Sequence, residues 1–311
     1  MMVHTMNANK RIAFYNNFRN GDIHNSRGII THIMKTLRND YSYDYYHFNS
    51  QRILSDLNVN YIPSPFQFGH FCGFYQNDNM DIKNGLVCVT ENGVYINTHI
   101  GSKYEDNIPF YSHGVNALGN MYLLNYIYKL LKLPVVVEDE WELVADLDYN
   151  KFTNTRIEDF LKNNNKKLAL FCNGPVRSGQ SNNFSFTEII NHLSKMYPNY
   201  MFMVTEKIIS SNNNVVFVGD IIGEVGDSDL NEIGYLGNKS DLIVGRASGP
   251  FMFTQTKTTL DDSSKTFVSF NNDTRAIAFF SDLGKAKKIW SDNYDPSHMT
   301  QLLENAMNNT T

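Results

Sequence analysis

Apolar and polar positions alternate in blocks along the chain, and the blocks change period. Arg11-Ile-Ala-Phe-Tyr15 is a short apolar run of the kind that forms a buried strand. A polar stretch, Asn16 to Asn25, follows with Gly21 inside it and reads as a loop. Ile29, Ile30, Ile33, Met34 and Leu37 then recur at helical spacing, and Ser26 is placed to cap that helix. Tyr43 to Phe48 predicts the next strand, and residues 51–84 read as irregular. Leu86 to Val89 and Val94 to Ile96 flank Glu91-Asn-Gly93 and predict strand–turn–strand. Ala117 to Leu131 carries a wide apolar helical stripe that Pro134 ends.

Polar residues 138–150, a short helix near Ile157–Leu161 and the Asn163-Asn-Asn165 run separate two halves. The boundary is expected within 140–165, giving an N-terminal domain over 1–150 and a C-terminal domain over 151–311. Beyond it the alternation is cleaner. Strands are expected at Leu168–Phe171, Tyr200–Val204, Val215–Val218 and Leu242–Val244. Helices are expected at Phe184–Met196, Leu230–Leu236, from Gly249 to Thr256, and at Thr300–Met307. Phe267-Val268 and Ala276 to Phe279 are further strand candidates. Strands alternating with helices imply α/β domains with parallel sheets covered on both faces.

Composition changes this picture little. The 311 residues are 42% hydrophobic and 13% aromatic, enough for packed cores, while charged residues reach only 19%. Asparagine takes their place, and its runs at 163–165 and 212–214 fall between predicted elements, a bias that AT-rich coding explains. A net charge of −5 gives no general drive toward nucleic acid or anionic membrane, so no nucleic-acid partner is expected. No apolar run is long enough for a transmembrane segment, and residues 1–11 lack a signal-peptide core. Cys72, Cys88 and Cys172 form no paired motif and read as free thiols in a reducing, cytoplasmic compartment.

Ligands of open α/β sheets bind outside the carboxyl ends of the strands, so the loops there are where chemistry is sought. Asn20-Gly-Asp-Ile-His-Asn-Ser26 offers Asp22 and His24 as groups able to take a proton from a hydroxyl. The loop Cys172 to Gln180 offers Asn173, Arg177, Ser178 and Gln180, with two glycines that let backbone approach a ligand and an arginine fork for phosphate. Glu206 and Lys207 follow the Tyr200 strand and suit ribose hydroxyls and phosphate. Gly245-Arg-Ala-Ser-Gly-Pro250 ends the Leu242 strand, where Arg246, the Ser248 hydroxyl, Gly249 and helix-start amides converge as an anion site. His99 and His113 are candidates for an acceptor pocket. No metal-ligand spacing, P-loop, dinucleotide fingerprint or nucleophile elbow is present, so neither a metal nor a cofactor is expected.

These loops resemble those of the GT-B glycosyltransferases, built from two Rossmann-like domains facing each other across a cleft. Within that class the chain looks most like the ADP-heptose–lipopolysaccharide heptosyltransferases. Gly21-Asp22 stands where that family has its Gly-Asp pair, Ser248-Gly249 where a Ser/Thr-Gly turn cradles the donor diphosphate, and Glu206 where an acidic residue approaches the ribose. Ala247 and Arg246 depart from the family's Asp before that turn, and Phe253 and Thr254 occupy the region of its following His. The resemblance implies a metal-independent, inverting glycosyltransferase. Its N-terminal domain would bind the acceptor, with Asp22 as base, and its C-terminal domain a nucleotide-sugar donor. The acceptor would be a glycan or a lipid-linked or protein-linked hydroxyl. A nucleotide-sugar 2-epimerase and a non-catalytic nucleotide- or glycan-binding protein of the same fold are the alternatives, and a DNA-modifying glucosyltransferase is a minor one.

Overall fold

The computed structural model describes residues 11–16, 18–37, 41–64, 87–90, 93–98, 117–177, 179, 181–272 and 283–309, which divide into two compact units, 1–145 and 146–311. The expected strand at 276–279 lies outside the described residues.

Unit 1 is built on strands β1 (Arg11–Tyr15), β2 (Ser42–His47), β3 (Asn60–Pro63), β4 (Val87–Thr90) and β5 (Gly93–Asn97). They pair in the order β3-β2-β1-β5-β4, parallel except for the β4–β5 hairpin. Ile12, Ala13 and Phe14 are fully buried, as expected of a central parallel strand covered on both faces. Helices α1 (Asn20–Asn25) and α2 (Arg27–Leu37) follow β1, and α3 (Ala117–Leu130) packs beside α2. The Tyr128 hydroxyl on α3 reaches His32 Nδ1 on α2 at 2.7 Å and Thr36 Oγ1 at 3.0 Å. Gly28 lets α2 lie against the backbone of the 140–143 turn: a Cβ there would run into the Leu143 carbonyl.

The start of this unit differs from the sequence expectation. The polar stretch is only a short loop, and from Asn20 the chain is helical, so Asp22 sits in a first helical turn. Its Oδ2 accepts from the Arg19 backbone N–H at 3.2 Å, which satisfies an otherwise orphaned donor. Ser26 closes α1 instead of opening α2, with its hydroxyl donated to the Ile23 carbonyl at 2.6 Å.

Unit 2 opens with α4 (Thr155–Asn163), which Asn154 caps through its side chain. Its strands are β6 (Lys167–Cys172), β7 (Tyr200–Val204), β8 (Val215–Phe217), β9 (Leu242–Gly245), β10 (Thr266–Phe270) and β11 (Lys287–Ser291). They form one parallel sheet in the order β8-β7-β6-β9-β10-β11. That is the doubly wound order, in which the chain starts in the middle, builds outward one way, and returns to build the other. The helices are α5 (Thr187–Met196), α6 (Val218–Ile222), α7 (Leu230–Lys239), α8 (Gly249–Thr254), α9 (Lys257–Leu260) and α10 (Pro296–Asn308). Ile189, Ile190 and Leu193 of α5 and Leu303 and Met307 of α10 share a core with Phe171, Phe202, Val244 and Phe270 of the sheet. Among the described residues, no helix is long and apolar enough to cross a membrane.

Candidate functional site

Both sheets have a topological switch point, the gap where successive connections leave in opposite directions and a crevice opens at the carboxyl ends of the strands. In unit 1 it lies between β1 and β5, in unit 2 between β6 and β9.

At the unit 1 switch, Asn16 Nδ2 donates to Thr98 Oγ1 at 3.3 Å, joining the ends of β1 and β5. The Tyr45 hydroxyl completes this cluster at 2.9 Å from Ser26 Oγ and 3.1 Å from Thr98 Oγ1. Burial pushes that phenol up to about 12, and the negative charge of Asp22 adds to the rise. The Asp22 carboxyl is itself raised to about 6, because burial disfavours the carboxylate more than the Arg19 amide supports it. A carboxylate near 6 is ionised at neutral pH and is a far stronger base than one near 4. His24, two residues on, is enclosed, with no solvent exposure. Burial, reinforced by the charge of Arg27, holds its imidazole neutral well below the usual histidine range. The expectation that His24 could serve an incoming hydroxyl is therefore corrected: it is a packed residue of α1. His99 and His113 lie outside the described residues.

At the unit 2 switch, the loops after β6, β7 and β9 are tied together, and the ties redefine several candidates. Asn173 engages both ends of its amide internally. Its Nδ2 donates to the Glu206 carbonyl at 2.9 Å, and its Oδ1 accepts from the Glu206 N–H at 2.8 Å. Asn173 is thus a clamp between loops and not a donor-facing amide. The clamp brings the Glu206 carboxylate over the β6 loop, so close that a Cβ on Gly174 would stand 2.9 Å from Glu206 Oε1. Lys207 turns the other way, toward the outer edge. Its Nζ lies 3.6 Å from Asp220 and 4.9 Å above the Phe217 ring, beside β8 and away from the β6–β9 crevice. Arg177 is exposed and makes no hydrogen bond or ion pair among the described residues. Ser178 and Gln180 lie outside them.

Arg246 is the least expected of the set. It is 2% exposed. Its guanidinium donates to the Asn173 carbonyl at 2.6 Å and the Phe184 carbonyl at 3.0 Å, and lies 4.8 Å from the Phe184 ring centre. It is therefore a buried brace between the β6 and β9 loops, not an exposed phosphate finger. Burial lowers its pKa, opposed by the charge of Glu206, and no carboxylate meets it in an ion pair among the described residues. A desolvated cation bonded to carbonyls and stacked on rings, with no ion pair among the described residues, projects a positive field into the crevice beside it.

The turn after β9 also differs in its donors. The Ala247 N–H is taken by Asn271 Oδ1 at 2.6 Å and the Ser248 N–H by the Arg246 carbonyl at 2.6 Å. Pro250 brings no N–H. Fewer helix-start amides are available than the Gly245–Pro250 sequence suggests. What the turn keeps is the buried Ser248 hydroxyl, which has no hydrogen-bond partner among the described residues and does not cap α8. Over Gly249 the space is open, with nothing nearer to an added Cβ than Leu230 at 3.9 Å. Among the described residues no group of three or more His, Cys, Asp or Glu side chains could share a metal ion.

Two units with mostly parallel sheets and flanking helices, the second in the doubly wound order, give the chain the GT-B glycosyltransferase fold. Among solved structures it is similar to E. coli heptosyltransferase WaaC with ADP, at 11% identity and TM-score 0.55, covering 95% of this chain and 99% of that one. It is similar also to E. coli ADP-heptose lps heptosyltransferase II, at 12% identity and TM-score 0.51, over 96% of this chain and 98% of that one. A third is the dodecameric iron-containing heptosyltransferase TibC in complex with ADP-D-β-D-heptose, at 8% identity and TM-score 0.53, over 97% and 78%. No protein-family model matches the sequence, and no curated protein does.

Proposed function

We propose that the protein transfers a sugar from a nucleoside-diphosphate donor to an acceptor hydroxyl. Unit 2 holds the donor at the β6–β9 crevice, and unit 1 presents the acceptor at the β1–β5 crevice. The observation that carries this reading is the convergence of Arg246, Ser248 and Glu206 at the switch point of unit 2. A departing nucleoside diphosphate gains negative charge as its bond to the sugar breaks. Preorganised cationic and hydroxyl groups in a partly desolvated crevice stabilise that charge at little reorganisation cost. Arg246 supplies the fixed field, Ser248 Oγ a hydrogen bond to a phosphate oxygen, and Arg177 a second cation from the rim. Glu206 accepts from the ribose hydroxyls. The three heptosyltransferase likenesses, one with ADP and one in complex with ADP-D-β-D-heptose, support the donor class.

In this reading Asp22 takes the proton of the acceptor hydroxyl as that oxygen bonds the anomeric carbon. The bond to the diphosphate breaks on the opposite side, and the transfer inverts the anomeric centre. Arginine side chains carry the leaving-group charge, so the transfer is metal-independent, and a chelator leaves the rate unchanged. We place the protein in the cytoplasm, where the buried thiol of Cys172 stays reduced. The test is a transfer assay over a panel of nucleotide sugars and acceptors. Asp22→Asn should lower turnover by about a hundredfold or more while leaving donor affinity within about twofold. Turnover that survives the substitution removes Asp22 as the base.

A further inference from the structure

Unit 1 contains a cavity that the base and the strand-end loops do not account for. It has a volume of about 250 Å³ and lies between β2, β3 and the 51–59 segment, with Tyr45, His47, Arg52, Leu54, Ser55 and Tyr61 in its wall. Tyr45 and Tyr61 are register partners on neighbouring parallel strands and share a sheet face with His47. The three rings pack as a continuous aromatic wall: His47 is 5.1 Å from the Tyr45 ring and 4.7 Å from the Tyr61 ring.

The wall is built and rigid. Arg27 grips both oxygens of Asp56 at 2.6 and 2.7 Å and also donates to the Ile53 carbonyl, which fastens the 51–59 segment to α2 from beneath. The Tyr61 hydroxyl donates to the Asn49 carbonyl at 3.0 Å. His47 is 1% exposed, and its Nδ1 has no hydrogen-bond partner among the described residues. Burial lowers its pKa to about 4, so the imidazole is neutral at physiological pH. Among the described residues no carboxylate lines the cavity, because Asp56 is committed to Arg27. Phe18 and Phe48, 46% and 51% exposed, stand at the carboxyl ends of the neighbouring strands β1 and β2, tied by Asn49 Nδ2 on the Phe18 carbonyl at 2.8 Å.

We propose that this cavity binds one neutral pyranose ring of the acceptor, its C–H face against the Tyr61–His47 wall and its hydroxyls on Arg52 and His47. The size fits one ring, since sites for drug-sized ligands run from roughly 300 to 1,000 Å³. Aromatic rings match the apolar face of a pyranose, and a guanidinium fork spans two neighbouring hydroxyls. A neutral imidazole with unused hydrogen-bonding capacity suits an uncharged hydroxyl. Tyr45 joins this cavity to the β1–β5 strand ends: its ring lines the wall while its hydroxyl bonds Ser26 Oγ and Thr98 Oγ1. The exposed Phe18 and Phe48 rings would cover the part of the acceptor beyond that sugar.

This inference rests on the reading of unit 1 as the acceptor domain. It is tested on the full chain by ligand-observed NMR and calorimetry with a panel of methyl pyranosides and the matching methyl uronates. Nucleoside diphosphates are titrated in parallel. At least one neutral pyranoside should bind, more tightly than its uronate. Ser55→Trp, an exposed substitution that fills the cavity mouth, and His47→Phe, which keeps the ring stack, should each raise its Kd tenfold or more. Nucleotide binding should stay within twofold in both. Pyranoside binding unaltered in the two variants, binding of uronates alone, or no pyranoside binding at all overturns the inference. If nucleotides bind while pyranosides do not, the cavity assignment fails and the donor reading stands. If pyranosides bind while no nucleotide does, the glycosyltransferase reading fails and the cavity stands.

Discussion

Replacing Asp22 by Asn should make the protein more stable at neutral pH while lowering transfer by about a hundredfold or more. The carboxyl is raised from its ordinary 3.8 to about 6 because its charge is poorly solvated in the fold. At about 1.4 kcal/mol per pH unit, the folded state is penalised by about 3 kcal/mol once the group is ionised. The amide oxygen of the asparagine can still accept from the Arg19 N–H, so the helix start keeps its partner. Part of the gain is lost because the amide is polar as well, leaving roughly 1–3 kcal/mol, or a rise of several degrees in Tm for a chain of this size. The sign with pH is fixed. Below 3.8 the carboxyl is protonated in both folded and unfolded chains, and the contribution of the raised pKa is fully present. It is lost as pH climbs to about 6, because the unfolded chain ionises freely and the folded one resists. Thermal melts of both proteins from about pH 4 to 8 should therefore show little difference at the acid end, a growing advantage for the Asp22→Asn variant up to about pH 6, and a plateau above. A difference that does not vary with pH, or a variant less stable than the native sequence at the alkaline end, refutes the account of Asp22 as a charge held at a desolvation cost.

Other expectations follow from the same geometry. Ser248→Ala should leave Tm within about 1 °C, because the hydroxyl has no partner among the described residues, yet weaken nucleoside-diphosphate binding by about two- to tenfold in calorimetry. Arg246→Met should destabilise by about 1–3 kcal/mol, as the Asn173 and Phe184 carbonyls lose their donor, and Arg246→Lys should not rescue it, because one ammonium cannot reproduce the fork. Arg27→Ala should cost about 3–5 kcal/mol in denaturant unfolding, since it strands the Asp56 carboxylate in the interior; the Arg27→Met, Asp56→Leu double variant should recover much of that. Lys207→Ala should change donor affinity less than about twofold, because its ammonium faces the exposed Asp220.

The central strands of both sheets are legible in the sequence because central parallel strands are continuous apolar runs, as in Leu168–Phe171 and Leu242–Val244. β11 is not, because Lys287-Lys-Ile-Trp-Ser291 is an edge strand and carries the charge that edges use to stay unpaired. α1 is hidden for a similar reason: Asn-Gly-Asp-Ile-His-Asn has poor helix formers and no apolar period, and only an acidic residue in the first turn hints at a helix start. At the candidate site the sequence singles out the loops that follow strands, but not what each side chain in them does. Asn173 and Arg246 both carry groups suited to phosphate, yet each spends them on the backbone of a neighbouring loop. Sequence spacing says which residues end a strand and cannot say which adjacent loop will claim them. The cavity around His47 reads as irregular chain, because its wall joins β2 to a segment held by the long-range Arg27–Asp56 pair.

The central claim is that unit 2 binds a nucleoside diphosphate at the β6–β9 crevice. The direct measurement is the Tm of the full chain against a panel of nucleoside diphosphates, with Ser248→Ala and Arg246→Met alongside. A ligand at about a hundred times its Kd adds about 2.7 kcal/mol to the state that binds it. One base should therefore raise Tm by several degrees in the native sequence, by less in Ser248→Ala and not at all in Arg246→Met. No rise with any nucleotide, or an equal rise in all three proteins, contradicts it.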